Sequence, residues 1–155
     1  MDPLSRPRVS VHRSIGRKGV PANASFETWV SAALRAGRST RRQVNIALLD
    51  EAQARALNRR DRGKNYATNV LSYRYEPLPG EKEAMLGDLV LCAAVVAREA
   101  AEQRKPVRHH YAHLTVHGVL HLLGFDHESF AEAKRMEALE RRILAGLGIP
   151  DPYAD

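Results

Sequence analysis

Three histidines, His117, His121 and His127, follow one another at intervals of four and six residues in the apolar stretch VHGVLHLLGFDH, 116–127. Residues four apart on a helix differ by about 40° in direction and about one turn in height. His117 and His121 therefore project side by side and can hold one cation between their imidazole nitrogens. Gly124 permits a sharp turn with positive φ, which would bring His127 back to face the other two. Three neutral imidazoles with an open fourth position form the layout of a catalytic zinc site, whereas structural zinc sites usually close with cysteines. Cys92 is the only cysteine in the chain. One histidine taken alone reads as a hydrogen-bonded core residue, but three stacked on one face without a metal would leave several buried polar atoms unsatisfied. The expected cofactor is one zinc ion per chain.

The spacing is that of H-E-x-x-H-x-x-G-x-x-H, the metzincin protease signature, with one letter changed. The residue after the first histidine should be the glutamate that serves as general base in peptide hydrolysis; here it is Gly118. Ligands without that base point to metal-assisted hydrolysis of a different bond. His113 stands one turn before His117, with His110 on the same side. Support of a ligand or plain packing is the preferred reading of His113, ahead of an alternative ligand or a proton carrier. Asp126 orients a ligand ring, holds the attacking water or makes the turn.

The elements that must position these residues can be read from the surrounding pattern. RVSVHR (8–13) alternates and reads as a strand. Ser25 caps a helix to about Gly37 that buries Phe26, Trp29, Val30, Ala33 and Leu34. QVNIALLD (43–50) is a second strand, and Asp50 caps a helix through about Arg59 with Ala52, Ala56 and Leu57 inward. NVLSYRY (69–75) and GDLVLCA (87–93) are strands, separated by the loop PLPGEKE. Helical patterns fill 94–104 and 107–123, and a last amphipathic helix runs from about Ser129 to Ala145, ended by Gly146 and Gly148. This mixture is α+β, a small four-stranded sheet with helices packed on it. The metal-binding segment is 107–128, a helix of the C-terminal half and the turn after it.

A chain of 155 residues suits one domain, 1–155, with a single core. A hydrophobic fraction of 44% and a charged fraction of 27% exclude wholesale disorder. The longest apolar run, Leu89–Ala97, is nine residues, against the roughly 20 needed to span a bilayer. MDPLSRPRVSVHRS lacks the apolar stretch of a secretory signal, and a single cysteine excludes an internal disulfide. Cys92 reads as a small buried hydrophobe. These features predict a cytoplasmic protein with no membrane partner. The net charge of +6 favours an anionic partner, of which nucleic acid is the commonest. The basic residues fall into three groups: Arg35, Arg38, Arg41 and Arg42; Arg59, Arg60, Arg62 and Lys64; and Arg104, Lys105 and Arg108. The first reads as solvated surface.

HGVLHLLGFDH, together with ATNVLSY at 67–73 and LGDLVLC at 86–92, resembles the YbeY family of bacterial endoribonucleases, over roughly Leu57 to Leu147. The resemblance implies a zincin-like fold with a mixed sheet, and zinc held by His117, His121 and His127. It also implies a functional arginine before TNVLS, to which Arg62 aligns, so that Arg62, His117 and His121 are the expected catalytic residues. Arg62 presents a permanently charged fork suited to phosphate oxygens, in what reads as a loop, DRGKN. Two positions depart from the family: Asp61 stands where an aromatic residue is usual, and Ala67 where proline is usual. Asp61 puts in doubt a stacking contact there, and pairs with Arg60 or Arg62 instead.

The implied activity is zinc-dependent cleavage of single-stranded RNA in ribosomal RNA maturation and ribosome quality control. The implied partners are ribosomal RNA, small-subunit ribosomal proteins and the GTPase Era. Zinc would polarise a phosphoryl oxygen or supply hydroxide, and Arg62 would steady the charge developing on phosphorus. The groups at 59–64 and 104–108 would attract the backbone, and Tyr66, Tyr73 and Tyr75 are candidate stacking platforms. Water and the RNA 2′-hydroxyl both remain open as nucleophile. The rivals are a zinc peptidase that recruits Asp88 or Glu128 as base, and a non-catalytic ribosome-assembly factor with a structural metal.

Overall fold

The structure, a computed structural model, describes residues 6–81, 84–126 and 128–154. Among these the chain forms four strands and five helices. Strands β1 (Arg8–Arg13), β2 (Gln43–Leu49) and β4 (Met85–Cys92) are parallel, and β3 (Val70–Arg74) is antiparallel to β4, giving the order β1-β2-β4-β3. β3 is therefore an edge strand, whose outer N–H and C=O groups have no strand partner among the described residues. Central β4 is buried on both faces along most of its length, as its near-continuous apolar run requires.

Along β2 the side chains of Val44, Ile46 and Leu48 alternate inward and are fully buried. They meet α1 (Asn23–Ala36) and α4 (Val107–Leu122), which pack on that face and on each other. Phe26 joins the two helices, with its ring edge-on to Trp29 at 5.3 Å and to Tyr111 of α4 at 5.9 Å. Such aromatic pairs add about 0.5–1.5 kcal/mol each beyond their burial. α5 (Phe130–Gly146) covers α4 from the side, through Met136, Ile143 and Leu144. α2 (Glu51–Arg62) lies on the opposite face, where Ala54 packs with Cys92 of β4 and Val95 of α3 (Ala93–Glu102). The architecture is the expected α+β arrangement with a mixed four-stranded sheet.

The expected apolar stripe of α1 is the observed one: Phe26, Trp29, Val30, Ala33 and Leu34 are all buried. Its start is not. The helix begins two residues before Ser25, with Ala22 as N-cap and no side-chain cap, and the Ser25 hydroxyl instead accepts from Arg108 at 2.6 Å. Asp50 does cap α2, in a reciprocal capping box with Gln53. That helix continues to Arg62 and ends at Gly63, whose φ of +70° turns the chain left-handed so that its N–H reaches the Arg59 carbonyl. Arg62 is thus the last helical residue rather than part of a loop. Arg59, Arg60 and Arg62 in the final turn complement the negative end of the helix dipole. Ala52 and Ala56 are exposed and the inward residues are Ala54 and Asn58, because the helix touches the sheet along a narrower stripe than the apolar letters suggest.

Candidate active site

A cleft of about 650 Å³ runs along the edge strand β3, between the C-terminal ends of α2 and α4. Arg62 enters it from α2, and His117 and His121 from α4. Three expected site residues separated by up to 59 positions are thereby brought to one surface. Lys64, Tyr66 and Asn69 complete the rim on the β3 side. No carboxylate of the described residues lines this cleft. His127, the third expected ligand, lies outside the described residues.

The two described histidines face each other. Their Nε2 atoms are 3.1 Å apart, and the rings are nearly perpendicular with centroids at 4.6 Å. Two nitrogens bound to one tetrahedral zinc at 2.0–2.1 Å lie about 3.3–3.4 Å apart, so the pair is already close to the spacing of neighbouring ligands. The donor set also suits a borderline cation of this kind. The Nδ1 of His117 points the other way and hydrogen-bonds the carboxylate of Glu140 on α5. Glu140 is fully buried. Burial pushes its carboxyl up, but the imidazoles of His113 and His117 outweigh that and hold it at about 2. Its other oxygen accepts from the Tyr153 hydroxyl and lies 3.6 Å from His113 Nε2.

His113, His117 and Glu140 form a second potential metal group, with one ligand atom from each within 4.8 Å of the others. That group sits behind α4 under Tyr153, whereas the His117–His121 pair opens on the cleft. His113 consequently faces Glu140 and Tyr153 rather than the cleft.

Gly118 explains why no glutamate follows the first histidine. It lies on the face of α4 that packs on the sheet, where an added Cβ would come within 2.7 Å of Leu89 Cδ2. A side chain there would require the buried Leu89 side chain to move. The other two candidate bases are not in the cleft either. Asp88 lines depressions shared with Asn45 and Tyr73 and accepts from Asn45 at 3.0 Å. Glu128 lines a separate one with Asp126 and Arg135.

A family model described as Endoribonuclease YbeY matches residues 16–148. The chain belongs to the YbeY endoribonuclease family. It is 58% identical over 140 residues to an endoribonuclease YbeY of Alkalilimnicola ehrlichii, covering 88% of this chain and 84% of the relative. To that of Stenotrophomonas maltophilia it is 57% identical over 150 residues, covering 94% and 92%. A solution structure of a Thermotoga maritima protein shares the fold, with a TM-score of 0.56 at 21% identity over 95% of this chain and 99% of that one. The family match begins well before Leu57, so α1 and β2 belong to the YbeY pattern as much as the histidine segment does.

Asp61 and Ala67, the two positions where the resemblance implies other residues, each have local partners. Asp61 pairs with Arg60 at 2.7 Å, not with Arg62, and accepts from the Tyr73 hydroxyl at 2.8 Å. These bonds, Arg60's first, hold its carboxyl at about 2, while burial and then Asp61 push the Tyr73 hydroxyl up to about 12. Ala67 packs against the Ala54–Cys92–Val95 cluster. Arg62 itself donates to the Ser72 carbonyl of β3 at 3.0 Å, with its guanidinium 5.6 Å from the centre of the Tyr73 ring. Of the three tyrosines considered as platforms, Tyr66 lines the cleft and is 54% exposed. The hydroxyls of Tyr73 and Tyr75 are taken by Asp61 and Glu81. The basic group at 104–108 is not part of the site: Arg108 is thirteen residues before His121 on the same helix, about 20 Å along its axis, with its guanidinium over Trp29.

Sequence reasoning missed Glu140, Tyr153 and Arg74. Glu140 had a signal, since Met136, Glu140, Ile143 and Leu144 share one buried stripe and an acidic residue on such a stripe requires a partner. Tyr153 and Arg74 gave none, because their partners depend on how the segment after α5 and the edge strand approach α4.

Proposed function

We propose that this protein is a zinc-dependent endoribonuclease that hydrolyses phosphodiesters in single-stranded RNA, in ribosomal RNA maturation and ribosome quality control. The observation that carries the reading is one cleft holding a permanent guanidinium, Arg62, beside two imidazoles whose Nε2 atoms converge. His117, His121 and His127 are the proposed ligands of one zinc ion per chain. A cation held there supplies Lewis acidity toward a phosphoryl oxygen and acidifies water.

The chain's own groups divide the remaining work. Arg62, anchored through one nitrogen on the Ser72 carbonyl, keeps its other donors for a phosphate and balances the charge that grows on it in the transition state. Lys64 and Arg74 on the same cleft track the backbone. Tyr66, exposed beside them, offers a face on which an unpaired base stacks. The absence of a carboxylate among the described lining residues removes repulsion of a polyanion, and it equally deprives a peptidase of its base. Ribosomal RNA is the proposed partner, with small-subunit ribosomal proteins and the GTPase Era as protein partners in the cytoplasm. Among the described residues no helix is long and apolar enough to cross a membrane.

The test uses the full chain purified without a histidine tag. Metal content by mass spectrometry should be one equivalent of zinc, lost in His117→Ala. The protein should cut an unstructured RNA and spare a duplex of the same sequence and casein. Cleavage of casein that vanishes in His121→Ala would replace this reading with the peptidase; metal retention with no hydrolysis would replace it with the assembly factor.

A further inference from the structure

We infer that Glu140 and Tyr153 are positioning residues that hold His117 in the one tautomer able to bind a cation through Nε2. The inference rests on the metal reading above and extends it to a part of the chain that never meets the substrate. A neutral imidazole carries its proton on one nitrogen, and only the other has a lone pair for a metal. The Nδ1 of His117 faces a carboxylate oxygen of Glu140. A carboxylate only accepts, so the proton sits on Nδ1 and the Nε2 lone pair is directed at His121 and the cleft. A buried carboxylate behind a ligand histidine raises the basicity of the ring and fixes its orientation.

Glu140 is in turn held by groups that the cleft does not use. Tyr153 donates its hydroxyl proton to the second Glu140 oxygen, and the hydroxyl oxygen lies 3.3 Å from His113 Nε2. The Tyr153 ring stands edge-on to His113 at 5.4 Å. The segment after α5 is pinned in this place by Asp151, which accepts from the Tyr153 N–H at 2.8 Å and from Arg141 Nε at 3.1 Å, while the Arg141 guanidinium covers the Tyr153 ring at 5.1 Å. The chain Arg141–Asp151–Tyr153–Glu140–His117 thus runs from the surface behind α5 to the wall of the cleft. A fully buried carboxylate is costly unless its acceptor positions are filled, and the groups around it here are His117, which lines the cleft, and Tyr153 and His113, which do not.

Two readouts test this on the full chain. The first needs no metal: long-range nitrogen–proton correlation spectra of the imidazoles in protein stripped of metal should place the His117 proton on Nδ1 in the parent, and show a shift toward the Nε2–H form or a mixture in Glu140→Gln. The second is zinc affinity by competition with a chromophoric chelator. Loss of such a supporting group weakens metal binding about 10- to 100-fold, expected for Glu140→Gln, and loss of one hydrogen bond about two- to tenfold, expected for Tyr153→Phe. Tyr153→Phe keeps the ring and its packing, so it decides the matter even if Glu140→Gln fails to fold. An Nε2-protonated His117 in the parent, or parent affinity in the folded variants, would overturn the inference and leave the nuclease reading intact. A parent that binds no zinc would overturn the nuclease reading, and the tautomer spectra would still decide this one.

Discussion

Arg74 on the edge strand donates through Nε to the Leu122 carbonyl of α4 at 3.0 Å, and its Nη2 lies 3.4 Å from the His121 carbonyl. Helix C-termini leave their last carbonyls without intrahelical donors, and here a guanidinium from the neighbouring strand occupies them. The same guanidinium fills the space beside Gly124, where an added Cβ would meet Arg74 Nη2 at 2.9 Å. Gly124 has a φ of +99°, the left-handed turn expected there from the sequence. One cation therefore fixes both the end of the histidine helix and the start of the turn that leaves it.

Arg74→Ala should destabilise the fold by about 1.5–3 kcal/mol, the usual worth of hydrogen bonds to a charged group. In a domain of this size that lowers the melting temperature by roughly 3–12 °C, at about 2–4 °C per kcal/mol. Arg74→Lys should recover part of it. The 3.9 Å approach of Arg74 to exposed Glu76 contributes little, so Glu76→Gln should leave the melting temperature unchanged. Equal melting of Arg74→Ala and parent would show the cap to be idle.

Restoring the protease letter should not restore a protease. Gly118→Ala already forces a Cβ to within 2.7 Å of Leu89, an overpacking that typically costs about 1–3 kcal/mol. Gly118→Glu adds a carboxylate where the helix meets the sheet and should yield unfolded or insoluble protein without caseinolytic activity. Leu89 is fully buried, so Leu89→Ala destabilises by itself. If the contact is the cause, Gly118→Ala should cost less in a Leu89→Ala background than in the parent, since the obstructing methyls are then gone. An equal cost of Gly118→Ala in the two backgrounds would place the clash elsewhere.

Much of this arrangement is legible in the sequence, and the parts that are not share a physical cause. The α1 stripe and the Asp50 cap depend on residues a few positions apart and appear where expected, whereas the α2 stripe does not. The convergence of His117 and His121 is likewise local, one turn of helix. DRGKN reads as a loop around Arg62 because a lone glycine marks either an irregular segment or a helix end, and Gly63 is the latter. Strand order, the approach of Tyr153 to Glu140 and the cap from Arg74 all join positions more than ten residues apart across separate elements. No periodicity within one segment encodes them.

Removal of the Arg62 charge should separate catalysis from structure. Arg62 is exposed and makes one bond to the Ser72 carbonyl, so Arg62→Ala should keep the fold and zinc content of the parent with only a small drop in melting temperature. Its single-turnover cleavage of unstructured RNA should fall about 10²–10³-fold, the typical loss for one donor aimed at transition-state charge. Arg62→Lys should recover only part, because an ammonium lacks the planar fork. A scaffold would respond in affinity alone.

Stability should fall on the acid side of neutrality for a reason away from the cleft. His110 is buried against Glu99, 2.8 Å from its carboxylate, which also accepts from Asn69 of the β3 approach at 3.0 Å. Burial lowers the His110 pKa, and Glu99 only partly opposes this. With the folded value below the unfolded value of about 6.5, the unfolded chain binds more protons between the two, and linkage makes stability decrease as pH falls through that window. Urea unfolding of the parent from pH 7.5 down to 5.5 should show that decline, and His110→Gln, which can still donate to Glu99, should flatten it. An unaltered slope in the variant would assign the acid sensitivity to another group.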